Sequence, residues 1–298
     1  MSASPSPILI TGCSSGIGRA TAARLAGAGH TVYATARRPE TLADLERAGC
    51  RALPLDVTDE GSMATAVKAV EQAHGHVGTL VNNAGYGEYG PIEDVAMDRV
   101  RRQFETNVFG LARMCQLVLP GMRAAGAGWI VNVSSMGGRV TFPACGYYHA
   151  SKYAVEAISD VLRFEAHPFG VHVVLIEPGL IRTSFVDTAA PALNHNDQAG
   201  SPYARLNEAI SQRMVAKYAS KLTAAGPEAV AAAIERALTS TRPRARYVIT
   251  PAARALVNLR RLLPDRAYDA LLRTQLRGPL TTRQVSEGGG RRGGGAAR

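Results

Sequence analysis

Tyr148 and Lys152 have the spacing of a proton-transfer pair. Side chains four positions apart on an α-helix lie on one face, so both would point into the same pocket. A free tyrosine has a pKa of about 10, but a nearby ammonium stabilises the phenolate and lowers that pKa. The preceding Tyr147 is followed at the same spacing by Ser151, so the pattern selects Tyr148. The chemistry indicated is general acid–base catalysis.

Two serines, Ser134 and Ser135, end the apolar run "IVNV" and are further candidates for the same site. A serine hydroxyl can donate a hydrogen bond to a carbonyl oxygen while a tyrosine protonates that oxygen. The residues alone leave the choice between the two serines open. His, Cys, Asp and Glu residues form no group with metal-ligand spacing, so we expect no metal.

The segment "PILITGCSSGIGRATA" reads as a strand, a Gly-rich turn and a helix. Gly12, Gly16 and Gly18 let the chain turn sharply and bring backbone N–H groups close to a phosphate. The helix that opens near Ile17 directs its positive N-terminus at that phosphate. The segment therefore predicts a nucleotide site.

The end of the second predicted strand, "YATARRPE", indicates which nucleotide binds. An NAD site usually places Asp or Glu there to hold the ribose 2′-hydroxyl. Here Thr35 and Ala36 occupy that region, and Arg37 and Arg38 follow. A guanidinium binds a 2′-phosphate well, so we predict NADP(H) as the cofactor, with Arg37 as the main phosphate contact and Arg38 as a helper.

Short apolar runs alternate with helical patterns through the body of the chain. The alternation predicts an α/β fold: a single doubly wound, Rossmann-type parallel sheet of about seven strands, flanked by helices, with a C-terminal helical extension. The predicted strands are 7–10, 31–36, 51–55, 79–82, 128–133, 171–176 and 246–249. The predicted helices are 17–28, 40–48, 59–75, 92–125, 148–167, 203–218 and 227–240, followed by two short helices in 252–276 divided by Pro264.

We assign residues 1–250 to a dinucleotide-binding and catalytic domain. Within it, 183–226 form a substrate-loop insertion, since so long an excursion in a compact domain is usually functional. Residues 251–278 form the helical extension, and the Gly-rich and Arg-rich 279–298 form a disordered tail.

Four motifs occur together in this chain: TGxxxGxG at the Gly-rich turn, "NNAG" at 82–85, YxxxK at 148–152 with a serine thirteen residues earlier, and PGxxxT at 178–183. Together they resemble the short-chain dehydrogenase/reductase family over about residues 5–250. The phrases "LITGCSSGIG", "YATARR" and "ASKYAVE" are most similar to the branch with 17β-hydroxysteroid dehydrogenases and carbonyl reductases. The resemblance implies an NADP(H)-dependent oxidoreductase that interconverts a ketone or aldehyde and its alcohol by hydride transfer.

The resemblance also implies roles for individual residues. It makes Tyr148 the acid/base, Lys152 its electrostatic partner and ribose ligand, Ser135 the group that orients the carbonyl, and Asn107 the holder of a water in a proton relay. The implied cofactor-binding residues are Gly12, Ser14, Ser15, Gly16, Ile17, Gly18, Arg37, Arg38, Asp56, Val57, Asn83, Ala84, Gly85, Tyr148, Lys152, Pro178, Gly179, Ile181 and Thr183.

The residues expected to form the substrate wall are mostly apolar or aromatic. We place no Arg or Lys beside the reacting carbonyl, so we expect a hydrophobic ketone, aldehyde or alcohol as substrate. The wall residues are Ser135, Tyr86, Met136, Val140, Phe142, Tyr147, Leu180, Phe185 and Val186.

The net charge of +10 belongs mainly to the C-terminus. Residues 1–250 hold 24 basic against 21 acidic residues, whereas 251–298 hold 10 Arg against three acids. A near-neutral body argues against a nucleic-acid partner. The C-terminal helices either pack beside the pocket, which we favour, or make a peripheral contact with an anionic membrane.

The chain shows neither a signal peptide nor a spanning segment, and its four cysteines form no CxxC pair, so we expect a cytoplasmic protein. The resemblance implies a homo-oligomer, either a dimer or a tetramer. A redox-silent NADP-binding sensor or scaffold of the same fold remains an alternative, because some relatives keep the fold without the catalytic residues.

Overall fold

The computed structural model describes residues 6–184, 201–220 and 223–275. Seven strands in this part of the chain form one parallel sheet in the order β3-β2-β1-β4-β5-β6-β7. The strands are β1 (Ile8–Ile10), β2 (Val32–Ala36), β3 (Arg51–Pro54), β4 (Thr79–Asn82), β5 (Gly128–Val133), β6 (Val171–Glu177) and β7 (Arg246–Val248). The predicted fold class, a doubly wound α/β sheet, is confirmed.

Helices cover both faces of the sheet. They are α1 (Gly16–Gly27), α2 (Ala43–Arg47), α3 (Glu60–His74), α4 (Met97–Phe104), α5 (Leu111–Ala125), α6 (Gly146–Ala166), α7 (Ala204–Ala219), α8 (Pro227–Thr239), α9 (Pro251–Leu262) and α10 (Asp265–Gln275). Pro264 divides the last two, as predicted. Within the described residues, no helix is both long and apolar enough to cross a bilayer.

The apolar strands are explained by burial on both faces. In β1, Leu9 packs into the core shared with α3, α5 and α6, whereas Ile8 and Ile10 pack into the core shared with α1 and α8. Successive side chains of a strand point to opposite faces, so a strand covered on both sides must be apolar throughout.

The long helix predicted at 92–125 has a different form. Residues before Met97 form turns, and a π-helical segment, Glu105–Gly110, separates α4 from α5. A π-helical turn inserts an extra residue into the helix and frequently occurs at functional sites. Here it carries Asn107.

The crevice for a ligand lies where the strand order reverses. The chain runs outward from β1 to β3, returns to β4 on the other side of β1, and then continues outward to β7. Loops after β1 and β4 therefore diverge at the carboxyl edge of the sheet, which is where doubly wound folds bind their ligands. The predicted 279–298 tail and residues 185–200 of the insertion lie outside the described residues.

Candidate active site

The Gly-rich turn joins β1 to α1 and is packed too tightly for side chains. Gly12 has a φ of +72°, and a side-chain carbon there would lie 2.9 Å from the Ala84 backbone. A side-chain carbon on Gly18 would collide with the Gly12 carbonyl oxygen and the Asn83 amide. No acidic residue lies in the first turn of α1, so its positive end is suited to an anion such as phosphate.

Asn83 fixes this turn to the end of β4. Its side-chain amide donates to the carbonyl oxygens of Thr11 and Gly12, each at 2.9 Å. The backbone N–H groups of Asn83 and Ala84 donate to Thr11 Oγ1, each at 3.0 Å. The Asn83 side chain therefore holds the shape of the turn, and the residue also lines the cavity beside it.

The end of β2 is followed by the cation Arg37, at the place where an NAD site usually has a carboxylate. Thr35 is fully buried and donates to the Ile10 carbonyl oxygen at 2.9 Å. Arg37 is exposed and lines the cavity. Arg38 is also exposed but is not among the lining residues, and its carbonyl oxygen accepts bonds from Thr41.

Asp56 also lines the cavity and lies two residues after the end of β3. Its Oδ1 accepts from the Thr58 backbone N–H at 2.9 Å and from the Thr58 hydroxyl at 2.8 Å. These two bonds fix the carboxylate, and Val57 lines the cavity beside it. The carboxylate is therefore a fixed hydrogen-bond acceptor on the cavity wall, and its contact with the cofactor stays a prediction.

Tyr148 and Lys152 lie one turn apart on α6 and are both buried. The Lys152 ammonium is 6.0 Å from the centre of the Tyr148 ring and donates to the Val133 carbonyl oxygen at 3.0 Å. Ser135 follows β5 and is hydrogen-bonded to Tyr148. Its hydroxyl oxygen also accepts from the Gly137 N–H at 3.0 Å. The structure thus brings the three side chains together.

Burial sets the protonation states of this group. It raises the pKa of Tyr148 to about 12, although the hydrogen bond from Ser135 acts in the opposite direction. It lowers the pKa of Lys152 to about 8, and the nearby Glu156 carboxylate offsets part of that effect. Near neutral pH, Tyr148 is therefore a phenol, and most Lys152 side chains are charged. A phenol beside an ammonium can donate a proton to an oxygen atom.

Asn107 stabilises the site through hydrogen bonds, although its side chain lies outside the cavity. Its amide donates to the Tyr86 carbonyl oxygen at 2.9 Å and to the Ser151 hydroxyl at 3.0 Å, and its oxygen accepts from the Tyr86 N–H at 3.0 Å. Asn107 is 1% exposed and does not line the cavity. Its side chain therefore connects the loop after β4 to the helix that carries Tyr148.

One cavity of about 1100 Å³ contains most of the predicted cofactor site. Gly18, Arg38 and Asn107 do not line it. The predicted cofactor residues that do are Gly12, Ser14, Ser15, Gly16, Ile17, Arg37, Asp56, Val57, Asn83, Ala84, Gly85, Tyr148, Lys152, Pro178, Gly179, Ile181 and Thr183.

The predicted substrate wall is only partly in place. Tyr86, Ser135, Met136, Phe142 and Leu180 line the cavity. Tyr147 does not, because its hydroxyl donates to the Ile92 carbonyl oxygen at 3.3 Å, and Val140 is fully buried elsewhere. Phe185 and Val186 lie outside the described residues.

Two residues of the site were missed by sequence reasoning. Tyr89 packs its ring edge-to-face on Tyr148, with 5.5 Å between ring centres. His149 is buried, its Nδ1 accepts from the Phe142 N–H at 3.2 Å, and burial lowers its pKa to about 4. A neutral imidazole therefore holds the loop in front of Tyr148. The one indication of His149 in the sequence was its position directly after Tyr148.

The cavity wall is completed by α7, which lies in the predicted substrate-loop insertion, and by α9 and α10, the C-terminal helices that we expected to pack beside the pocket. From α7, Ile210 and Met214 pack against Tyr89 and Tyr148. Leu256 of α9 and Tyr268, Leu271 and Leu272 of α10 also line the cavity. Two cations of α7, Arg213 and Lys217, also line the cavity, although the predicted substrate wall contains no Arg or Lys. No metal-binding group of three or more His, Cys, Asp or Glu residues occurs among the described residues.

Comparison with known proteins gives one consistent result. The family model described as short chain dehydrogenase matches residues 6–194. A solved short-chain dehydrogenase from Streptomyces avermitilis is 33% identical and superposes with a TM-score of 0.76, covering 93% of this chain and 99% of that one.

Two curated relatives carry functional names. The chain is 34% identical over 280 residues to an NADPH-dependent 3-dehydrocapnine reductase from Ornithobacterium rhinotracheale, covering 90% of this chain and 96% of that protein. It is 45% identical over 184 residues to a 3-ketodihydrosphingosine reductase from Bacteroides thetaiotaomicron, covering 61% of this chain and 66% of that protein.

Proposed function

The chain belongs to the short-chain dehydrogenase family, and from that premise we propose that it interconverts a hydrophobic ketone or aldehyde and its alcohol with NADP(H). The observation that carries the proposal is the convergence of Tyr148, Lys152 and Ser135 in the same cavity as the Gly-rich turn. A phosphate-binding turn and a proton donor in one cavity are the two parts that hydride transfer to a carbonyl requires.

The proton chemistry follows from the protonation states. The Gly-rich turn and Arg37 would hold NADPH, which when bound would supply the hydride for the carbonyl carbon. The Tyr148 hydroxyl gives its proton to the carbonyl oxygen, so that C=O becomes CH–OH. The Lys152 ammonium stabilises the tyrosinate that remains until solvent returns the proton. The Ser135 hydroxyl donates a hydrogen bond to the same oxygen and fixes the carbonyl in front of Tyr148.

The preference for NADP(H) rests on Arg37. The end of β2 has no carboxylate to repel a 2′-phosphate, and the Arg37 guanidinium lines the cavity there. A guanidinium can bind phosphate with two parallel hydrogen bonds. One relative that covers most of this chain is itself named NADPH-dependent, which supports the proposal.

The substrate is a hydrophobic carbonyl compound. Ile210, Met214, Leu256, Leu271 and Leu272 line the cavity beyond Tyr148, and apolar side chains favour an apolar ligand. Two relatives are named as reductases of a 3-keto and a 3-dehydro compound, which agrees with chemistry at an internal carbonyl of a larger molecule.

The test is NADPH oxidation by the purified protein with a panel of long-chain ketones and aldehydes. Tyr148→Phe removes only the hydroxyl, and we expect kcat/KM to fall by at least about a hundredfold because general acid catalysis is lost. The matched control is Tyr147→Phe. This substitution removes the hydroxyl that donates to Ile92, outside the cavity, and should change the rate less than about twofold.

Equal rates for wild type and Tyr148→Phe would overturn the proposed mechanism. If wild type binds NADPH but oxidises it with none of the panel, the redox-silent sensor takes precedence over the reductase.

A further inference from the structure

A carboxylate lies one helical turn beyond Lys152 and is buried as deeply as the lysine. Glu156 and Lys152 are 5% and 6% exposed, and both belong to α6. Side chains four positions apart on a helix are neighbours on its surface. A buried charge is costly unless another charge or a hydrogen bond compensates it. Glu156 is therefore placed to compensate the buried Lys152 ammonium.

Arg246 of β7 holds Glu156 in this position. Its Nε lies 3.1 Å from Glu156 Oε2 and 3.1 Å from Glu177 Oε1, and its Nη2 donates to Asp160 Oδ2 at 2.5 Å. Glu177 Oε1 also lies 3.4 Å from Arg139 Nη1. One guanidinium thus connects carboxylates of α6 and β6, and it fixes the Glu156 carboxylate on the α6 turn that follows Lys152.

The charge of Glu156 opposes the effect of burial on Lys152. Burial lowers the pKa of Lys152 to about 8, and the Glu156 carboxylate raises it. Burial also raises the pKa of Glu156 itself, whereas Ser134 and Arg246 lower it. The pKa of Glu177 is raised in part by the charge of Glu156. Of the two carboxylates that share the Arg246 Nε, Glu156 therefore ionises first and acts as an anion on Lys152.

The charge of Lys152 decides how well the site stabilises the Tyr148 phenolate. The Lys152 ammonium lies 6.0 Å from the centre of the Tyr148 ring. When the phenol gives up its proton, a nearby ammonium stabilises the anion that remains, and a neutral amine does not. Loss of the Lys152 proton at high pH should therefore slow carbonyl reduction.

We propose that Glu156 is a positioning residue that keeps Lys152 charged while Tyr148 donates its proton, and that it thereby sets the upper pH limit of carbonyl reduction. This inference rests on the proposed reductase function and deepens it. Glu156 is not among the described lining residues of the cavity, so it acts through Lys152 and not on a ligand. The other charged groups of the cluster are Glu177 of β6, Arg246 of β7, Arg139 of the loop after β5 and Asp160 of α6.

The test is the Glu156→Gln variant, which removes the charge and keeps the shape of the side chain. In wild type, kcat/KM for ketone reduction with saturating NADPH should fall as pH rises through about 8, because Lys152 loses its proton there. In the variant, this alkaline limb should move to lower pH by about half a unit or more, because loss of a neighbouring negative charge destabilises the ammonium.

The matched control is Asp160→Asn, one turn further along α6. Asp160 also accepts a hydrogen bond from Arg246, so the control disturbs the same guanidinium but leaves the carboxylate beside Lys152. Its alkaline limb should stay at the wild-type pH. An equal movement of the limb in Asp160→Asn and Glu156→Gln would overturn the inference, because the effect would then come from loosening of Arg246.

Direct titration of Lys152 separates this inference from the proposed function. The chain has four lysines, so NMR of protein labelled with ¹³C at lysine Cε gives few signals, and Lys152→Arg identifies the signal of Lys152. The Lys152 pKa should be lower in Glu156→Gln than in wild type. Equal values would overturn the inference even in an active reductase. If no ketone is reduced, the reductase proposal fails, whereas the titration still decides whether Glu156 controls the charge of Lys152.

The double variant Glu156→Gln/Arg246→Gln provides the same comparison if the single variant does not fold. It leaves no guanidinium beside the lost carboxylate, and Glu177 keeps Arg139 as its partner. Circular dichroism identifies which variant is folded. In that variant the alkaline limb and the Lys152 pKa should fall together. A lower Lys152 pKa with an unchanged limb would overturn the inference, because the charge of Lys152 would not limit the reaction.

Discussion

Tyr147 and Tyr148 are adjacent residues of one type with different environments. Tyr148 is 8% exposed, next to Lys152 and Ser135, whereas the Tyr147 hydroxyl contacts the Ile92 backbone. The sequence alone was enough to select Tyr148 over Tyr147, because only Tyr148 has a lysine four residues later and that spacing needs nothing but helical geometry. The pKa values of Tyr148 and Lys152 could not be predicted in this way, because they depend on burial by residues from distant parts of the chain.

Arg37 and Arg38 provide a similar comparison for the cofactor. Arg37→Asp places a carboxylate at the ribose end of the cavity, where it would repel a 2′-phosphate and accept a bond from a 2′-hydroxyl. We expect KM for NADPH to rise by about tenfold or more and KM for NADH to stay the same or fall. Steady-state kinetics with both cofactors measures the change.

Arg38→Asp is the control, since it makes the same charge change one residue further along the chain, outside the lining residues. It should shift the preference for NADPH over NADH much less than Arg37→Asp does. If both variants changed the preference for NADPH equally, the overall positive charge of the loop after β2, and not a direct contact from Arg37, would set that preference.

At the scale of elements, a buried ion cluster joins the helix of the catalytic pair to the sheet. Glu177 ends β6 and is 0% exposed. The Arg246 Nε of β7 lies 3.1 Å from both Glu177 Oε1 and Glu156 Oε2, and Arg139 Nη1 lies 3.4 Å from Glu177 Oε1. Glu156 is one turn after Lys152 on α6. The cluster therefore fixes α6 against β6 and β7 directly behind the site.

Glu177 should make stability depend on pH. Burial, with a further contribution from Glu156, raises its pKa from 4.5 to about 7. Between these values the folded chain binds more protons than the unfolded chain, so this group lowers the free energy of unfolding as pH rises. Glu177→Gln removes the effect. The melting temperature of the variant minus that of wild type should therefore increase by a few degrees between about pH 5 and about pH 8.

Thermal unfolding followed by circular dichroism across this range measures the difference. The control is Glu165→Gln, which removes an exposed carboxylate near the end of α6 and should give a curve parallel to wild type. A parallel curve for Glu177→Gln as well would show that Glu177 ionises in the folded chain as it does in the unfolded one.

An element could be predicted from the sequence when the interactions that form it are reflected in its own residues. The seven strands were predicted to within a residue or two. Burial on both faces makes the five central strands nearly continuous apolar runs, whereas the edge strands β3 and β7 are only partly buried. The π-helical segment around Asn107 was not predicted, since its side-chain bonds to Tyr86 and Ser151 are long-range. The placement of α7, α9 and α10 near the pocket was expected, but lining residues such as Met214 and Leu256 were not predicted, because helical periodicity predicts a buried stripe but not its partner.

At the scale of the whole molecule, α6 presents an exposed apolar stripe. Tyr153, Ala157, Val161 and Phe164 follow one another at spacings of four, four and three residues, and all are exposed. Phe164 is 86% exposed, although the opposite face of α6 carries the buried Tyr148 and Lys152. An apolar stripe of this kind on a surface helix is typical of a contact between protein molecules.

We expect this stripe to pair two copies of the chain. Phe164→Asp places a charge at the most exposed residue of the stripe and should convert the oligomer into a smaller species at micromolar concentration, because an unpaired buried charge is costly at an interface. Sedimentation equilibrium measures the mass directly. The control is Leu262→Asp at the end of α9, which makes the same change at a residue that is 81% exposed.

The control should keep the wild-type mass, because Leu262 lies on the C-terminal helices and not on α6. The opposite result, with Leu262→Asp dissociating the oligomer and Phe164→Asp leaving it intact, would move the interface to α9. The mouth of the substrate cavity would then lie between subunits, since Leu256 of the same helix lines that cavity. Pairing through α6 leaves α9 and α10 accessible, so that a long-chain substrate can reach the cavity in the assembled protein.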